Sequence, residues 1–119
     1  IKTTSFLMIR DAAGDIWLER RPDAGIWGGL WCFPEIADHQ SADTWSIDHF
    51  GKAPTAVKLW QPFRHTFSHY HLDIQPVEMV LERPHTAVME AGRQLWYNTQ
   101  QPAKIGLAAP VAQLLKQLD

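Results

Sequence analysis

Two periodicities divide the chain into predicted strands and helices. Residues 3–10 and 16–21 are short runs rich in β-branched and aromatic side chains, and residues 11–15 between them contain the Asp and Gly of a tight turn. We therefore predict a β-hairpin at the start of the chain. Other runs with strand-like composition or a two-residue period predict further strands. They cover residues 57–60, 70–82 and 94–98.

Two other segments have helical spacing. Ser41 suits a helix N-cap and Gly51 suits the helix end, and three apolar residues between them fall near helical spacing. These are Ala42, Trp45 and Phe50. At the other end of the chain Pro110 suits a first helical position, followed by an apolar stripe at i, i+3, i+4 and i+7. The stripe consists of Val111, Leu114, Leu115 and Leu118. Strands mixed with two helices predict an α+β or mixed α/β domain.

Two loops stand between the predicted elements. Residues 22–29 hold three glycines, which predicts close backbone approach or positive φ in this loop. The loop does not continue into the Gly-Lys-Ser/Thr helix start of a P-loop. Residues 61–69 are too polar to form a central strand throughout, and Pro62 marks the same segment.

The size and composition fit one globular domain. The chain has 119 residues, of which 45% are apolar and 20% are charged. No apolar run approaches the roughly 20 residues that span a bilayer, so we expect a soluble protein with no membrane contact. Cys32 is the single cysteine, which favours a reducing compartment such as the cytoplasm. The first residue is Ile1 rather than Met, and we expect a fragment of a longer chain.

The charge is unevenly distributed. The net charge is −2, which argues against a protein held on DNA by bulk electrostatics alone. Residues 49–72 nevertheless contain no Asp or Glu and carry +3 from Lys52, Lys58 and Arg64, together with four of the six histidines. The rest of the chain carries −5. A face that meets an acidic partner is therefore expected to come from this segment.

The same segment resembles a known family. Residues 63–74, FRHTFSHYHLDI, resemble the diagnostic segment of the C-terminal domain of the MutY adenine DNA glycosylases. Residues 22–35, PDAGIWGGLWCFPE, and residues 96–97 with 105–115 are similar to other parts of that domain, in the same order. The resemblance therefore runs nearly from end to end. It implies an α/β, Nudix-like fold, in which a mixed β-sheet is sandwiched with helices, as a single domain over residues 1–119.

The resemblance also implies a function. Phe67, Ser68 and His69 would occupy the loop that contacts 8-oxo-7,8-dihydroguanine opposite adenine in double-stranded DNA. Three preceding residues complete the implied DNA-binding and lesion-binding set. They are Arg64, His65 and Thr66. A separate N-terminal domain would carry the glycosylase chemistry and a 4Fe-4S cluster, so that no catalytic residue, metal or cofactor is expected in this chain.

The chemistry of these side chains is compatible with that role. The hydroxyl of Ser68 and a neutral His69 can each donate and accept hydrogen bonds, so they can meet the altered edge of an oxidised guanine. Phe67 could stack beside the base or wedge into the duplex. Arg64 and His65 suit phosphate contacts, although Arg64 is as well suited to packing on an aromatic ring. Taken singly, Phe67 suits a core position and Ser68 suits a turn.

Three alternatives stay open beside this hypothesis. A Nudix hydrolase needs an Arg-Glu and a Glu-Glu pair on one helix to gather Mg²⁺, but neither dipeptide occurs, and residues 36–50 supply only scattered Asp. A non-catalytic nucleotide-binding or protein-binding relative is a second alternative. The third is a metal site at His69 and His71, for which only Asp73 offers a third donor nearby. The missing carboxylates favour the lesion-recognition domain.

Overall fold

The computed structural model describes residues 2–82 and 93–118. These residues form a mixed sheet and two α-helices. The strands are β1 (Lys2–Arg10), β2 (Ile16–Arg20), β3 (Trp31–Cys32), β4 (Glu35–Ile36), β5 (Ala56–Leu59), β6 (Phe63–Thr66), β7 (His71–Val80) and β8 (Gln94–Tyr97). The helices are α1 (Ala42–Phe50), which follows a 3-10 turn at His39–Ser41, and α2 (Ala109–Leu118).

Strand β1 joins the two halves of the sheet. It pairs in parallel with β7 from Lys2 opposite Leu72 to Arg10 opposite Val80. It also pairs antiparallel with β2 and β4, and β2 in turn pairs antiparallel with β3 and β8. β5 and β6 follow one another along the other edge of β7, both antiparallel to it. The mixed sheet that the sequence predicted is confirmed.

Each face of the sheet packs against its own helix. Because side chains alternate along a strand, neighbouring residues of β1 enter different cores. Phe6 and Met8 are buried together with the apolar stripe of α2. Leu7 and Ile9 are buried on the other face together with Phe50 of α1. Full burial of such side chains stabilises the fold by roughly 1.5–3 kcal/mol each, so the two faces hold both helices on the sheet.

The predicted boundaries of helix α1 are largely confirmed. Gly51 has a left-handed φ of 77°, and its N–H bonds to the carbonyl of Ile47, which ends the helix as predicted. Ser41 stands at the N-cap position but makes no side-chain cap bond. Asp38 provides a cap one turn earlier, where its carboxylate accepts from the Gln40 N–H at 2.9 Å. The 3-10 turn already leads into α1, which explains why the side-chain cap lies at its start.

The predicted strands lie within a few residues of their expected ranges, whereas the short strands β3 and β4 were not predicted. The hairpin of β1 and β2, the strand β8 and the helix α2 all form where they were predicted. The polar segment 61–69 contains only the short strand β6, which lies at the edge of the sheet. Within residues 2–82 and 93–118, no helix combines the length and apolar character needed to cross a membrane.

Candidate nucleic-acid interface

The loop between β6 and β7 is a short hairpin connection. The two strands pair from Phe63 opposite Ile74 to Thr66 opposite His71, which leaves residues 67–70 to make the turn. The Phe67 N–H donates to the Tyr70 carbonyl oxygen at 2.9 Å and closes this turn. Ser68 and His69 lie at the tip and are exposed. Their polar atoms are therefore accessible to a ligand that approaches the tip.

Phe67 does not extend freely from this loop. Its half-buried ring lies 4.8 Å from the Tyr70 ring in a stacked arrangement, with 27° between the planes. The His65 ring meets it edge-on at 4.7 Å, and the Trp27 ring lies at 5.4 Å. We call these four rings, Trp27, His65, Phe67 and Tyr70, the aromatic cluster. All distances are between ring centroids. The exposed tip of the loop thus stands on a packed aromatic base.

The other predicted DNA contacts are paired across the hairpin. Arg64 Nε donates to Asp73 Oδ1 at 2.7 Å and Arg64 Nη2 donates to Oδ2 at 3.3 Å. These bonds lower the pKa of the Asp73 carboxyl and raise the pKa of Arg64. The Thr66 hydroxyl lies 3.1 Å from Nδ1 of His71. The charge of Arg64 is therefore balanced by a carboxylate, a partner that neither predicted role for this residue included.

The glycine-containing loop at residues 22–29 approaches the aromatic cluster from β2. The predicted positive φ occurs at Gly25 (97°) and Gly29 (74°), and Trp27 also has a left-handed φ of 54°. The predicted close approach occurs at Gly28, where a Cβ would lie 2.3 Å from the Asp23 carbonyl oxygen. This backbone path brings the Trp27 side chain onto Phe67 and His65.

The same loop is tied to the sheet by Arg21. Arg21 Nη1 donates to Glu35 Oε1, and Arg21 Nε donates to the Ile26 carbonyl oxygen at 3.1 Å. The Thr4 hydroxyl donates to the second oxygen of Glu35 at 2.8 Å. The Arg21 guanidinium also lies over the Trp27 ring, 6.0 Å from its centroid. These contacts link the loop to β1 and β4 and restrict its movement.

The predicted positive segment is divided in the fold. Lys58 and Arg64 line an open groove of about 670 Å³ between the β5–β6 edge and helix α2. Lys52 follows α1 and is not part of this lining. Two of the three cations are therefore brought together, beside apolar residues such as Trp60 and Leu114.

The sequence profile of the NUDIX domain matches residues 5–117. The chain belongs to the NUDIX domain family. One relative of this NUDIX domain is the adenine DNA glycosylase of Buchnera aphidicola subsp. Acyrthosiphon pisum, which is 30% identical over 97% of the chain and 32% of its own length. The chain spans about a third of the length of the curated relatives it matches.

Solved structures agree with this assignment. One match is the crystal structure of the complex between the C-terminal domain of mouse MUTYH and human PCNA, with a TM-score of 0.76, 16% identity, and coverage of 96% of this chain and 84% of that chain. Another is a MutT NUDIX hydrolase from Burkholderia pseudomallei, with a TM-score of 0.74, 16% identity, and coverage of 99% and 98%. These likenesses show a shared fold, and the predicted Nudix-like fold is confirmed.

The carboxylates of helix α1 are not grouped for binding a metal ion. The carboxylates of helix α1 are Asp43 and Asp48, which stand about 140° apart around the helix axis at 100° per residue. Mg²⁺ needs several oxygens on one side, so these residues do not fit the ion. Within the described parts of the chain, no group of three or more His, Cys, Asp or Glu side chains is placed to hold a metal. Burial raises the pKa of the Cys32 thiol to about 12.

Sequence analysis missed the role of two rings in this NUDIX domain. The sequence predicted only a tightly folded glycine-containing loop around Trp27, and the contact of its ring with Phe67 was not predicted. The predicted strand over residues 70–82 began at Tyr70, whereas Tyr70 stacks on Phe67 just before β7 begins. The positive-φ glycines indicated only that the loop is tightly folded. They did not indicate which surface it contacts.

Proposed function

We propose that this NUDIX domain is the damage-recognition part of an A/G-specific adenine DNA glycosylase of base excision repair. In this proposal Phe67, Ser68 and His69 contact 8-oxoguanine opposite adenine in double-stranded DNA. The observation that carries the proposal is the hairpin tip, which exposes Ser68 and His69 on a packed aromatic base. The adenine DNA glycosylases among the relatives support the same function.

The tip has the hydrogen-bonding capacity that this recognition requires. Guanine presents N7 as an acceptor, whereas its 8-oxo form carries N–H at that position and a new carbonyl at C8. A hydroxyl and a neutral imidazole can each donate and accept, so Ser68 and His69 can pair with either pattern. Among the described residues, neither side chain is engaged in a hydrogen bond that would have to be broken first.

Phe67 would act as a fixed platform. Because its ring contacts Trp27 and Tyr70, it is already ordered before DNA binds. A ring that is ordered in the free protein loses little rotamer entropy when a base stacks on its exposed part. We therefore expect Phe67 to contribute affinity for any mispair, and Ser68 and His69 to contribute the preference for the oxidised base.

Base excision itself would take place elsewhere in the glycosylase. The relatives are about three times as long as this chain, which leaves room for a separate N-terminal catalytic domain with its 4Fe-4S cluster. Cys32 is buried and is the single thiol here, so it does not fit the ligand set of such a cluster. This domain would act beside the catalytic domain in the bacterial cytoplasm.

The test compares two DNA duplexes in the full-length glycosylase that carries this domain. Replacing Ser68 and His69 together by Ala is expected to reduce the preference for 8-oxoguanine:adenine over guanine:adenine by about 5- to 150-fold per lost contact, which corresponds to 1–3 kcal/mol. Single-turnover excision rates and dissociation constants are measured on both duplexes at one salt concentration.

The matched control replaces a serine and a histidine outside the hairpin. Ser41→Ala with His39→Ala changes the same residue types at the start of helix α1 and is expected to leave the preference unchanged. A folded Ser68→Ala, His69→Ala enzyme that keeps its full lesion preference would show that the hairpin tip does not recognise the damage.

A further inference from the structure

We propose that Trp27 is a positioning residue for DNA binding, which acts by holding Phe67 in place. This inference rests on the proposed function of the β6–β7 loop. It assigns a role in damage recognition to the loop at residues 22–29, which comes from a different part of the chain and does not include any of the predicted lesion contacts.

The Trp27 ring connects the buried core to the lesion loop. On one side it meets Phe6 edge-on at 6.1 Å, and Phe6 is fully buried on β1. On the other side it lies 5.4 Å from Phe67 and 5.7 Å from His65. Phe67 is thus enclosed by Trp27 and Tyr70, and movement of its ring toward the core is blocked by a residue that the core itself supports.

The backbone of the loop holds Trp27 in this position. Its left-handed φ of 54° is uncommon for a residue with a large side chain and is unfavourable by about 1–2 kcal/mol. Such a conformation persists when the surroundings enforce it. Here the Leu30 N–H donates to the Trp27 carbonyl at 3.0 Å, and the Gly29 N–H donates to the Pro22 carbonyl at 3.1 Å. The indole is therefore not free to leave the aromatic cluster.

A close backbone contact lies beside Trp27 and has the same consequence. Gly28 has room for no side chain, because a Cβ would lie 2.3 Å from the Asp23 carbonyl oxygen. This tight backbone path directly follows Trp27, whose ring contacts Phe67 and His65 of the hairpin. The loop thus uses both a special backbone conformation and a close backbone contact to deliver one aromatic ring to Phe67.

In this proposal the order of the Phe67 ring depends on Trp27. Its turn is closed by the bond from the Phe67 N–H to the Tyr70 carbonyl, and the two exposed residues lie between these ends. When one face of Phe67 loses its neighbour, the ring gains rotamer freedom that DNA binding must remove again. The expected result is weaker DNA binding through Phe67 and not the loss of a separate contact to DNA.

The experiment is a double-mutant cycle in the full-length glycosylase. Dissociation constants are measured for Trp27→Ala, Phe67→Ala and the double variant on a duplex that holds 8-oxoguanine opposite a non-cleavable adenosine analogue. Trp27→Ala is expected to weaken binding by about three- to tenfold, the range for loss of an aromatic pair. In the Phe67→Ala background the same change is expected to have no further effect.

Two further variants keep the test independent of folding. Trp27→Phe retains a ring and is expected to restore most of the affinity, whereas Trp27→Leu retains apolar volume without the ring and is expected to bind as weakly as Trp27→Ala. If Trp27→Ala does not fold, Trp27→Leu takes its place in the cycle. Trp45→Ala is the matched control, because Trp45 is a half-buried tryptophan packed on the opposite core.

The outcomes separate this proposal from the proposed function. If Phe67→Ala weakens binding and a folded Trp27 variant does not, or if the two effects add, the positioning role is overturned while the function of the loop stands. If Phe67→Ala leaves binding unchanged, the proposed role of Phe67 fails, and the role of Trp27 fails with it.

Discussion

Helix α1 and the β6–β7 hairpin belong to one NUDIX fold but expose different kinds of polar side chain. The helix presents Asp43 and Asp48 to solvent on different sides, which gives no common position for a divalent cation. The hairpin presents Ser68 and His69 on a base of packed rings. The sheet keeps both helices, while among the described residues α1 offers no grouped carboxylates and the strand connection exposes polar side chains.

Hydrolysis of a nucleotide would be the strongest evidence that α1 retains a metal site. We expect the 119-residue chain to show no turnover of dGTP or 8-oxo-dGTP with Mg²⁺ or Mn²⁺, because α1 lacks grouped carboxylates. Phosphate release is measured, with a MutT hydrolase as the positive control. Turnover at an ordinary enzymatic rate, on the order of 1 s⁻¹ or more, would favour the hydrolase hypothesis, with α1 as part of the active site.

A steric change in the loop at residues 22–29 tests whether the path of this loop matters. Gly28→Ala is expected to lower the free energy of unfolding by about 1–3 kcal/mol, because the new methyl group overlaps a backbone carbonyl. Urea denaturation measures this change. Gly14→Ala is the control. Gly14 has a φ of 88° and open space around its Cβ position, so this variant adds backbone strain without a steric overlap.

The two glycine variants also differ in their expected effect on DNA. In the full-length glycosylase Gly28→Ala is expected to weaken binding of the lesion duplex together with stability, because Trp27 must move with the loop. Gly14→Ala lies in the β1–β2 turn and is expected to leave binding unchanged. Equal binding by both variants would mean that the path of the loop does not matter for recognition.

A smaller effect is expected in the salt dependence of DNA binding. The acid-free segment has three cations, Lys52, Lys58 and Arg64. For the isolated chain, the logarithm of the DNA-binding constant is therefore expected to fall with the logarithm of the salt concentration with a slope of at most about 3. Lys58→Ala is expected to reduce the slope by about 0.9, and Lys104→Ala, outside that segment, to leave it unchanged. Tight, salt-insensitive binding by the chain would contradict this electrostatic account.

The smallest effect concerns the pH dependence of stability at the hairpin. Arg64 lowers the pKa of Asp73 below its ordinary value of 3.8 in the folded state. A lowered carboxyl pKa stabilises the fold above the unfolded-state pKa, and this contribution is lost as the pH falls through the folded pKa. Arg64→Ala is therefore expected to lower the midpoint temperature of unfolding slightly at pH 6. Below about pH 3.8 the midpoint temperatures of the variant and of the unchanged chain are expected to lie closer together.

Thermal unfolding across this pH range measures the effect, with Lys104→Ala as the control. Because both partners are exposed, solvent screening keeps the contribution small. A difference that stays constant from pH 6 to pH 2 would show that the effect of Arg64 on stability does not depend on the charge of Asp73.

Much of the local structure could be predicted from the sequence because it depends on neighbours in the chain. Gly51 ends α1 since it can adopt a left-handed φ, and the apolar stripe of α2 gives that helix one buried face. The absence of Arg-Glu and Glu-Glu pairs is visible in the sequence itself, and it underlies the expectation that the chain does not hydrolyse nucleotides. The resemblance of residues 63–74 pointed to the hairpin before its geometry was known.

The tertiary structure alone decided how distant segments meet. The parallel pairing of β1 with β7 joins residues about 70 positions apart, and no local pattern specifies that partner. Arg64 has Asp73 as its partner because the hairpin register places them opposite each other. Trp27 reaches Phe67 because the loop at residues 22–29 and the β6–β7 hairpin meet in the fold. Contacts of this kind depend on chain paths in three dimensions, whereas periodicity reports only which face of an element is buried.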